Sequence, residues 1–354
     1  MPLYVGTYTD GTSEGIYRVD FDVVRGALSR PMLMAARVNP TFLAWHPTRP
    51  VMYAVSETAT YDGGGTGAVA AFDVDAEGQL HLVAEVTSGG AGPCFVSVAT
   101  AASHVLVANY GGGSVAALPV REDGGLLPAS RVVGHAGAGP HPVRQPGPRA
   151  HAIASSPGGR WVVAADLGVD RLFVYRLDVD SGTLVDVGPL GGVATAPGAG
   201  PRHFAWHASG ALMYLVNELD STISVYDWDE ARGTLAWRDT ASTLPAGWSG
   251  ENTAAHVVVH PSGRAVYVSN RGHDSLAHCV LDERGDITSV ETYASGGRTP
   301  RHFAVEATGR FLVVANQETN ALVVFSTSDE LGTPVRTNAH IEVPSPSFVL
   351  MPSA

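Results

Sequence analysis

Apolar and polar positions alternate along the chain in short runs separated by Gly, Pro, Asn, Asp and Ser, which is typical of β-strands joined by tight turns. In the segment GAGPRHFAWHASGALMYLVNELDSTISVYDWD, residues 198–229, two apolar strands carry polar groups at opposite ends. Arg202 and His203 stand where the first strand begins, and Asn217 and Glu218 stand where the second one ends. In an antiparallel pair these two clusters meet at the same end.

This pattern recurs at intervals of about 45–55 residues, a period typical of propeller blades. Each unit has an apolar strand, a turn, a second apolar strand, a polar corner, a third alternating strand and a Gly-containing hairpin into a fourth. The six complete units begin at Asn39, Gly92, Pro148, Pro201, Thr253 and Pro300. The repeat therefore predicts four-stranded blades.

The two ends of the chain complete a seventh unit. Residues 4–28 match the second, third and fourth strands, and the segment PSPSFVLMP at 344–352 matches a first strand. We expect residues 347–350 to be the innermost strand of the blade formed by 4–28, which would close the ring. The predicted fold is all-β, a seven-bladed β-propeller closed by pairing of the N- and C-terminal strands, as a single domain over residues 1–354. An array of β-sandwiches is the alternative, and the split terminal repeat argues against it.

The starts of first strands and the ends of second strands should converge on one mouth of the channel. The candidates at these positions are Asn109, Tyr110, Arg149, His151, Asp166, Arg202, His203, Asn217, Glu218, His256, Asn270, Arg271, Arg301, His302, Asn316, Gln317 and Glu318. Crowded arginines in an acidic protein need a counter-charge, from Glu218, Asp166 or a bound anion. We expect Arg202 to lie at a wet mouth, so that its truncation would weaken the binding or turnover of an anionic ligand far more than it lowers stability.

Structural roles compete with ligand binding at several of these positions. Asn109, Asn270 and Asn316 could satisfy backbone groups at the corners that they begin, and Asp166 could brace its own corner. His203 and His302 could tether neighbouring blades. The arginines favour binding, because their charge is hard to explain by packing alone.

Charge and cysteine content narrow the function. The net charge of −12 and the pI near 5.5 argue against nucleic-acid binding, which requires a basic face. Cys94 and Cys279 lie in apolar runs and are expected to be buried thiols. The beginning MPLYVGTYTD lacks the features of a signal peptide, and no run is long enough for a membrane span, so we expect a cytoplasmic protein that does not bind membranes.

Five motifs together resemble the seven-bladed propeller lactonase family, which includes 6-phosphogluconolactonases and carboxymuconate lactonizing enzymes. They are ADLGVDRLFVYRLD (165–178), GAGPRH (198–203), VNELDS (216–221), SNRGHDS (269–275) and TPRHF (299–303). The resemblance implies a catalytic set of His151, Arg202, Glu218 and Arg271, with Arg301 as a second candidate for the last role. The remaining expected substrate-binding residues are His203, Asn109, Asp166, Asn217, His256 and Gln317. Arg149 and His256 depart from the family pattern of a His-x-His pair and a glutamate.

A lactonase needs an activated water, a stabilised oxyanion and a proton for the leaving alkoxide. His151 can serve as general base, the two arginines can hold the oxyanion and an anionic group, and Glu218 can orient an arginine or donate the proton. We expect hydrolysis of a small anionic sugar lactone, 6-phosphogluconolactone first, without metal or cofactor. A lactonizing cyclase and a non-enzymatic binding platform remain alternatives, and the sequence leaves the oligomeric state open.

Overall fold

Seven antiparallel sheets are present in the computed structural model, which describes residues 1–187, 192–327 and 329–352. Most strands pair with the next strand along the chain, as in a propeller blade, and we number these blades 1 to 7 in chain order. The described residues contain no helix, and so none that could cross a membrane. The predicted all-β, seven-bladed fold class is confirmed.

The first four blades are built from the N-terminal half of the chain. Blade 1 contains β1 (Pro2–Thr7), β2 (Gly15–Asp22), β3 (Ala27–Leu28) and β4 (Met32–Ala36). Blade 2 contains β5 (Leu43–Trp45), β6 (Val51–Tyr61), β7 (Thr66–Val74) and β8 (Leu80–Thr87). Blade 3 contains β9 (Pro93–Val98), β10 (His104–Asn109), β11 (Ser114–Pro119) and β12 (Val132–Gly134). Blade 4 contains β13 (Ala150–Ser155), β14 (Val162–Asp166), β15 (Arg171–Asp178), β16 (Thr183–Asp186) and β17 (Val193–Ala194).

The other three blades and the final strand follow. Blade 5 contains β18 (Pro201–Trp206), β19 (Leu212–Asn217), β20 (Thr222–Asp229) and β21 (Thr234–Ser242). Blade 6 contains β22 (Thr253–Val259), β23 (Ala265–Arg271), β24 (Ser275–Leu281) and β25 (Ile287–Ala294). Blade 7 contains β26 (Pro300–Val305), β27 (Phe311–Asn316), β28 (Ala321–Ser326) and β29 (Val335–Glu342). The last strand, β30 (Pro346–Leu350), belongs to blade 1.

The chain forms two compact units. The first comprises Met1–Ala36, Arg202–Trp228 and Ala236–Ala354, and contains blades 1, 6 and 7 with most of blade 5. The second comprises Arg37–Pro201 and Asp229–Leu235, and contains blades 2, 3 and 4. The single domain over residues 1–354 stays a prediction.

Blade 1 joins the two ends of the chain. Strand β30 runs antiparallel to β1, with Val5 opposite Val349 and Gly6 opposite Phe348. It occupies the edge of the sheet that the first strand takes in the other blades. The predicted pairing of the terminal segments is confirmed.

Packing between neighbouring blades explains why the middle strands are buried along their whole length and are mostly apolar. All six residues of β10 and of β19 are buried. In the first unit, Tyr214 of blade 5 shares a core cluster with Val257 and Val268 of blade 6. In the second unit, Leu106 of blade 3 shares one with Ile153 of blade 4. A strand covered on both faces gains by burying every side chain, which removes the alternation expected of a half-exposed strand.

Buried tyrosines also connect the blades. Tyr214 Oη donates a hydrogen bond to the carbonyl of Gly285, in the hairpin of the next blade, at 2.8 Å. Tyr53 makes the same bond to Gly124, and Tyr267 makes it to Gly332. Each bond gives a buried hydroxyl its acceptor and links two neighbouring blades.

Candidate functional site

Bulges shift the side chains at the beginning of several first strands. In blade 4, Ala150 lies opposite Asp166 and Ala152 opposite Ala165, so His151 is an extra residue. Arg301 is the extra residue in blade 7. In blade 6 the shift falls between Ala254 and Val257, a stretch that contains His256. A bulge turns its side chain away from strict alternation, and bulges concentrate beside functional sites.

The centre of the candidate site in the first unit is an Arg202–Glu218–Arg271 cluster. Arg202 Nε lies 2.8 Å from Glu218 Oε2, and Arg271 Nη2 lies 2.9 Å from the same oxygen. The side chains of Arg202 and Glu218 are only 2% and 3% exposed, and that of Arg271 is 13% exposed. Two guanidinium groups around one carboxylate leave a net positive charge, which suits an anionic ligand.

Arg202 is held on several sides rather than exposed at a wet mouth. Its Nη1 donates to the carbonyl of Ala255 at 2.5 Å and lies 3.1 Å from His203 Nδ1. The expectation of an exposed Arg202 is therefore wrong. The reason is that blade 6 supplies a carbonyl and blade 5 a carboxylate for this arginine, so that its charge can be buried with its partners.

His203 and His256 form a direct pair. Their Nδ1 atoms are 3.0 Å apart, and the rings meet edge to face at 5.2 Å. One nitrogen must donate and the other accept, so the two rings cannot both be protonated at Nδ1. Burial, followed by the charge of Arg202, lowers the pKa of His256 to about 3. His256 is accordingly neutral beside the arginine cluster.

His302 extends this pair into a row of rings. It stacks on His256 at 3.9 Å and meets Phe348 of β30 at 3.9 Å with the two rings tilted by 41°. Its Nδ1 accepts a hydrogen bond from the Val349 amide at 3.2 Å. Burial, followed by the charges of His256, Arg202 and Arg301, lowers the pKa of His302 well below its ordinary value. His203, His256 and His302 thus form a row of rings beside Arg202, in which the lowered pKa values keep His256 and His302 neutral.

Arg301 contacts an aromatic residue from the N-terminal segment. Its Nη2 donates to Tyr8 Oη at 2.6 Å, and its guanidinium carbon lies 4.9 Å from the Tyr8 ring centre. The sequence did not single out Tyr8. Its only sequence signal is that it follows β1, at the position where polar corners follow second strands in the other blades.

His151 lies in the second unit, where it is buried. Its Nδ1 is 3.6 Å from Cys94 Sγ, and its ring meets Tyr110 edge to face at 5.3 Å. The guanidinium carbon of Arg149 lies over the ring of Tyr110, 5.5 Å from its centre. That His151 shares one cavity with the arginine cluster stays a prediction.

Asp166 belongs to a buried polar network in the second unit. Its Oδ2 lies 2.6 Å from His135 Nδ1, and the opposite ring nitrogen of His135 lies 2.8 Å from Tyr175 Oη. Its Oδ1 accepts hydrogen bonds from the backbone amides of Arg149 and Gly168, at 2.7 and 2.9 Å. The Asp166 carboxylate therefore holds the backbone before β13, at Arg149, next to the corner after β14, at Gly168. His135 stands in a loop segment without a repeat signal, and the sequence did not indicate it.

The corner asparagines bind backbone groups at the end of the preceding blade. Asn109 donates to the Ser88 carbonyl, Asn270 to that of Thr243 and Asn316 to that of Ser295, at 2.8–3.1 Å. Asn217 instead donates to Thr222 and Ser224 within blade 5. Gln317 is half-buried, and its backbone N–H donates to the Thr299 carbonyl.

Both cysteines are buried and unpaired with each other. Burial raises the pKa of Cys279 to about 12, so this thiol stays protonated. Among the described residues, no group of three or more His, Cys, Asp and Glu side chains could hold a metal ion.

The geometry of the first unit can stabilise a negatively charged oxygen. Arg202 and Arg271 are paired with one carboxylate and restrained by neighbouring carbonyls, so their donors are already oriented. Preorganised donors of this kind are the usual means of stabilising the oxyanion in acyl transfer.

Comparisons with known proteins show the family of this chain. The family described as lactonase, seven-bladed beta-propeller, matches residues 2–351. The 6-phosphogluconolactonase of Bacillus subtilis is 36% identical, over 98% of this chain and 97% of its own length. The structure of a periplasmic gluconolactonase of Pseudomonas aeruginosa is 34% identical and superposes with a TM-score of 0.92, over 99% and 98% of the two chains. A protein from Lactobacillus plantarum is 30% identical, with a TM-score of 0.91 over 98% of each chain. The chain therefore belongs to the lactonase family of seven-bladed β-propellers.

Proposed function

We propose that this enzyme hydrolyses a sugar lactone, and that its main substrate is 6-phosphogluconolactone, which it converts to 6-phosphogluconate. The observation that supports this most is the arginine pair around Glu218, because a buried site with a net positive charge selects an anionic substrate. The names of the Bacillus subtilis and Pseudomonas aeruginosa relatives support a sugar lactone as the substrate class.

In the proposed reaction a water molecule adds to the lactone carbonyl carbon, the ring C–O bond breaks, and the leaving alkoxide takes a proton. Arg202 and Arg271 stabilise the oxyanion or hold the anionic group of the substrate. Glu218 keeps both arginines in place. His151 is the proposed general base that takes the proton of the attacking water.

The other candidates receive different roles in this proposal. His203 and His256 line the site as hydrogen-bonding groups, and Arg301 with Tyr8 contributes a further contact to the substrate. Asp166, Asn109, Asn217 and Asn270 brace blade corners, since their side chains are engaged with the protein itself. Gln317 is proposed to contact substrate. A cytoplasmic location stays a prediction.

The direct test compares 6-phosphogluconolactone with the unphosphorylated glucono-lactone, each corrected for spontaneous hydrolysis. We expect the phosphorylated lactone to have at least a tenfold higher kcat/KM, the gain from about one charge-assisted hydrogen bond. Arg271→Gln should remove most of this activity, whereas Arg264→Gln, a change at an exposed arginine of blade 6, should not. No hydrolysis of either lactone, together with ring closure of an unsaturated acid, would favour the lactonizing cyclase instead.

A further inference from the structure

Trp248 is exposed although its ring is fixed. It lies in the segment that connects β21 to β22, and 42% of it is exposed. The indole meets the His273 ring edge to face at 4.5 Å. It also lies against Gly250, where a Cβ would come within 2.6 Å of the indole Cζ2 atom. Its neighbours thus hold a large apolar surface in one orientation towards solvent.

The segment that carries Trp248 is attached to the two corners that follow Glu218 and Arg271. Asn252 Nδ2 donates to Ser221 Oγ at 2.8 Å, and Asn252 Oδ1 accepts from the His273 amide at 3.0 Å. At the other end of the segment, Thr243 Oγ1 lies within 2.8 Å of both the Ser221 carbonyl and Asn270 Oδ1. The segment is therefore fixed to the corners that follow Glu218 and Arg271, two residues of the arginine cluster.

A second exposed tryptophan lacks these features. Trp237 of β21 is 63% exposed, and its Nε1 donates to Thr240 Oγ1. Trp237 lies on β21, the outer strand of blade 5. It is therefore outside the corners that follow Glu218 and Arg271. Trp237 is accordingly a natural control for the effect of an exposed indole as such.

We propose that Trp248, held by His273 and Gly250, is a stacking platform for the sugar ring of a substrate bound at the Arg202–Glu218–Arg271 cluster. This inference rests on the proposed function. The arginines recognise oxygen atoms and charge, and the indole covers the C–H face of the ring, which these polar groups cannot bind. Trp248 is then a specificity residue for cyclic sugar lactones rather than for anions in general.

The kinetic test uses Trp248→Ala and Trp248→Phe, with Trp237→Ala as the control. We expect Trp248→Ala to raise KM for a sugar lactone on the order of tenfold, the loss of one aromatic contact, while kcat changes less than threefold. Trp248→Phe should restore most of the affinity, and Trp237→Ala should match the unchanged protein. An unaltered KM in Trp248→Ala would overturn the inference and leave the proposed hydrolysis intact.

A binding test separates this inference from the proposed function. Titration with glucose 6-phosphate and with glucose, whose closed rings can lie on the indole, should change the tryptophan fluorescence of the unchanged protein and of Trp237→Phe, and this change should be lost in Trp248→Phe. Inorganic phosphate, which lacks a sugar, should not produce it. Should lactone hydrolysis be absent while this pattern holds, the sugar platform stands and the hydrolase proposal fails. An equal change in Trp248→Phe would overturn the platform.

Discussion

Arg202 Nε lies 2.8 Å from Glu218 Oε2, and both side chains are almost fully buried. The two residues are 16 positions apart, at the start of β18 and just after the end of β19. Taking two charges out of water is unfavourable unless each finds a well-oriented partner. The pair therefore links stability and anion binding, and the two effects have to be measured separately.

Arg202→Ala should lower both stability and activity. It leaves the Glu218 carboxylate buried with one of its partners removed, which typically costs about 3–5 kcal/mol in the free energy of unfolding. Lactone turnover per folded molecule should fall roughly 10- to 100-fold. Urea denaturation and a hydrolysis assay on one preparation measure the two effects. Arg25→Ala, which removes an exposed arginine paired with Asp22, is the control and should change stability by less than about 1 kcal/mol. Retained activity per folded molecule in Arg202→Ala would mean that this arginine is purely structural.

Glu218→Gln should increase the affinity for anions. The amide keeps the shape of the side chain but no longer neutralises Arg202 and Arg271, so inorganic phosphate should bind roughly tenfold more tightly at low ionic strength. Added salt should reduce this gain. Calorimetric titration of the variant, beside the exposed-residue control Glu283→Gln, checks the expectation. Equal phosphate affinity in both variants would show that Glu218 does not set the charge of the site.

The free energy of unfolding should fall below neutral pH because of the buried histidines. The folded protein holds the pKa of His256 at about 3 and that of His302 well below its usual value. The unfolded chain takes up protons near pH 6.5 that the folded protein excludes. Above about pH 7 the protonation of these two histidines therefore does not lower the free energy of unfolding. As the pH falls below that value, the free energy of unfolding decreases by up to about 1.4 kcal/mol per pH unit for each histidine. Urea denaturation from pH 7.5 to 5 should show a smaller slope for His302→Gln, and the slope of the exposed His340→Gln should not change.

Asp166→Asn should act on stability rather than on catalysis. The carboxylate joins His135 to the amides of Arg149 and Gly168, and replacing it removes the buried charge and turns one acceptor into a donor. We expect a loss of about 2–4 kcal/mol. KM for the lactone should change less than twofold. Asp123→Asn, at a surface pair with Arg121, provides the comparison. A KM that rises tenfold without loss of stability would return Asp166 to the substrate-binding residues.

His151→Gln should abolish general-base catalysis. We expect kcat to fall by about 10²–10⁴, the usual contribution of a positioned base. In the unchanged protein, activity should decline towards acidic pH as the base is protonated. This decline should be absent in His151→Gln, because water then attacks without a base that can be protonated. Near-ultraviolet circular dichroism verifies the fold of the variant. A small change in kcat with an unchanged pH profile would contradict the role of His151.

The repeat in the sequence determined the fold class, the number of blades and the pairing of the two chain ends. These features are carried by local patterns, since apolar runs, Gly-containing hairpins and polar corners each depend on a few neighbouring residues. The partial repeats at the two ends were sufficient to predict that β30 pairs with β1. The position of each candidate relative to its own strand also followed from this pattern.

Only the tertiary structure decided how these candidates are used. Arg202 and Glu218 became a buried pair because Ala255 in the next blade supplies a carbonyl, and no feature of the local sequence indicates that bond. The bulge at Arg301 turns its side chain out of the period-two alternation, so the contact with Tyr8 could not be read from the pattern. His135 follows β12 and contacts Asp166, which is 31 residues further along the chain, so no local pattern indicates this contact either. Strand patterns depend on neighbouring residues, whereas burial and charge pairing depend on what another blade brings within about 3 Å of each group.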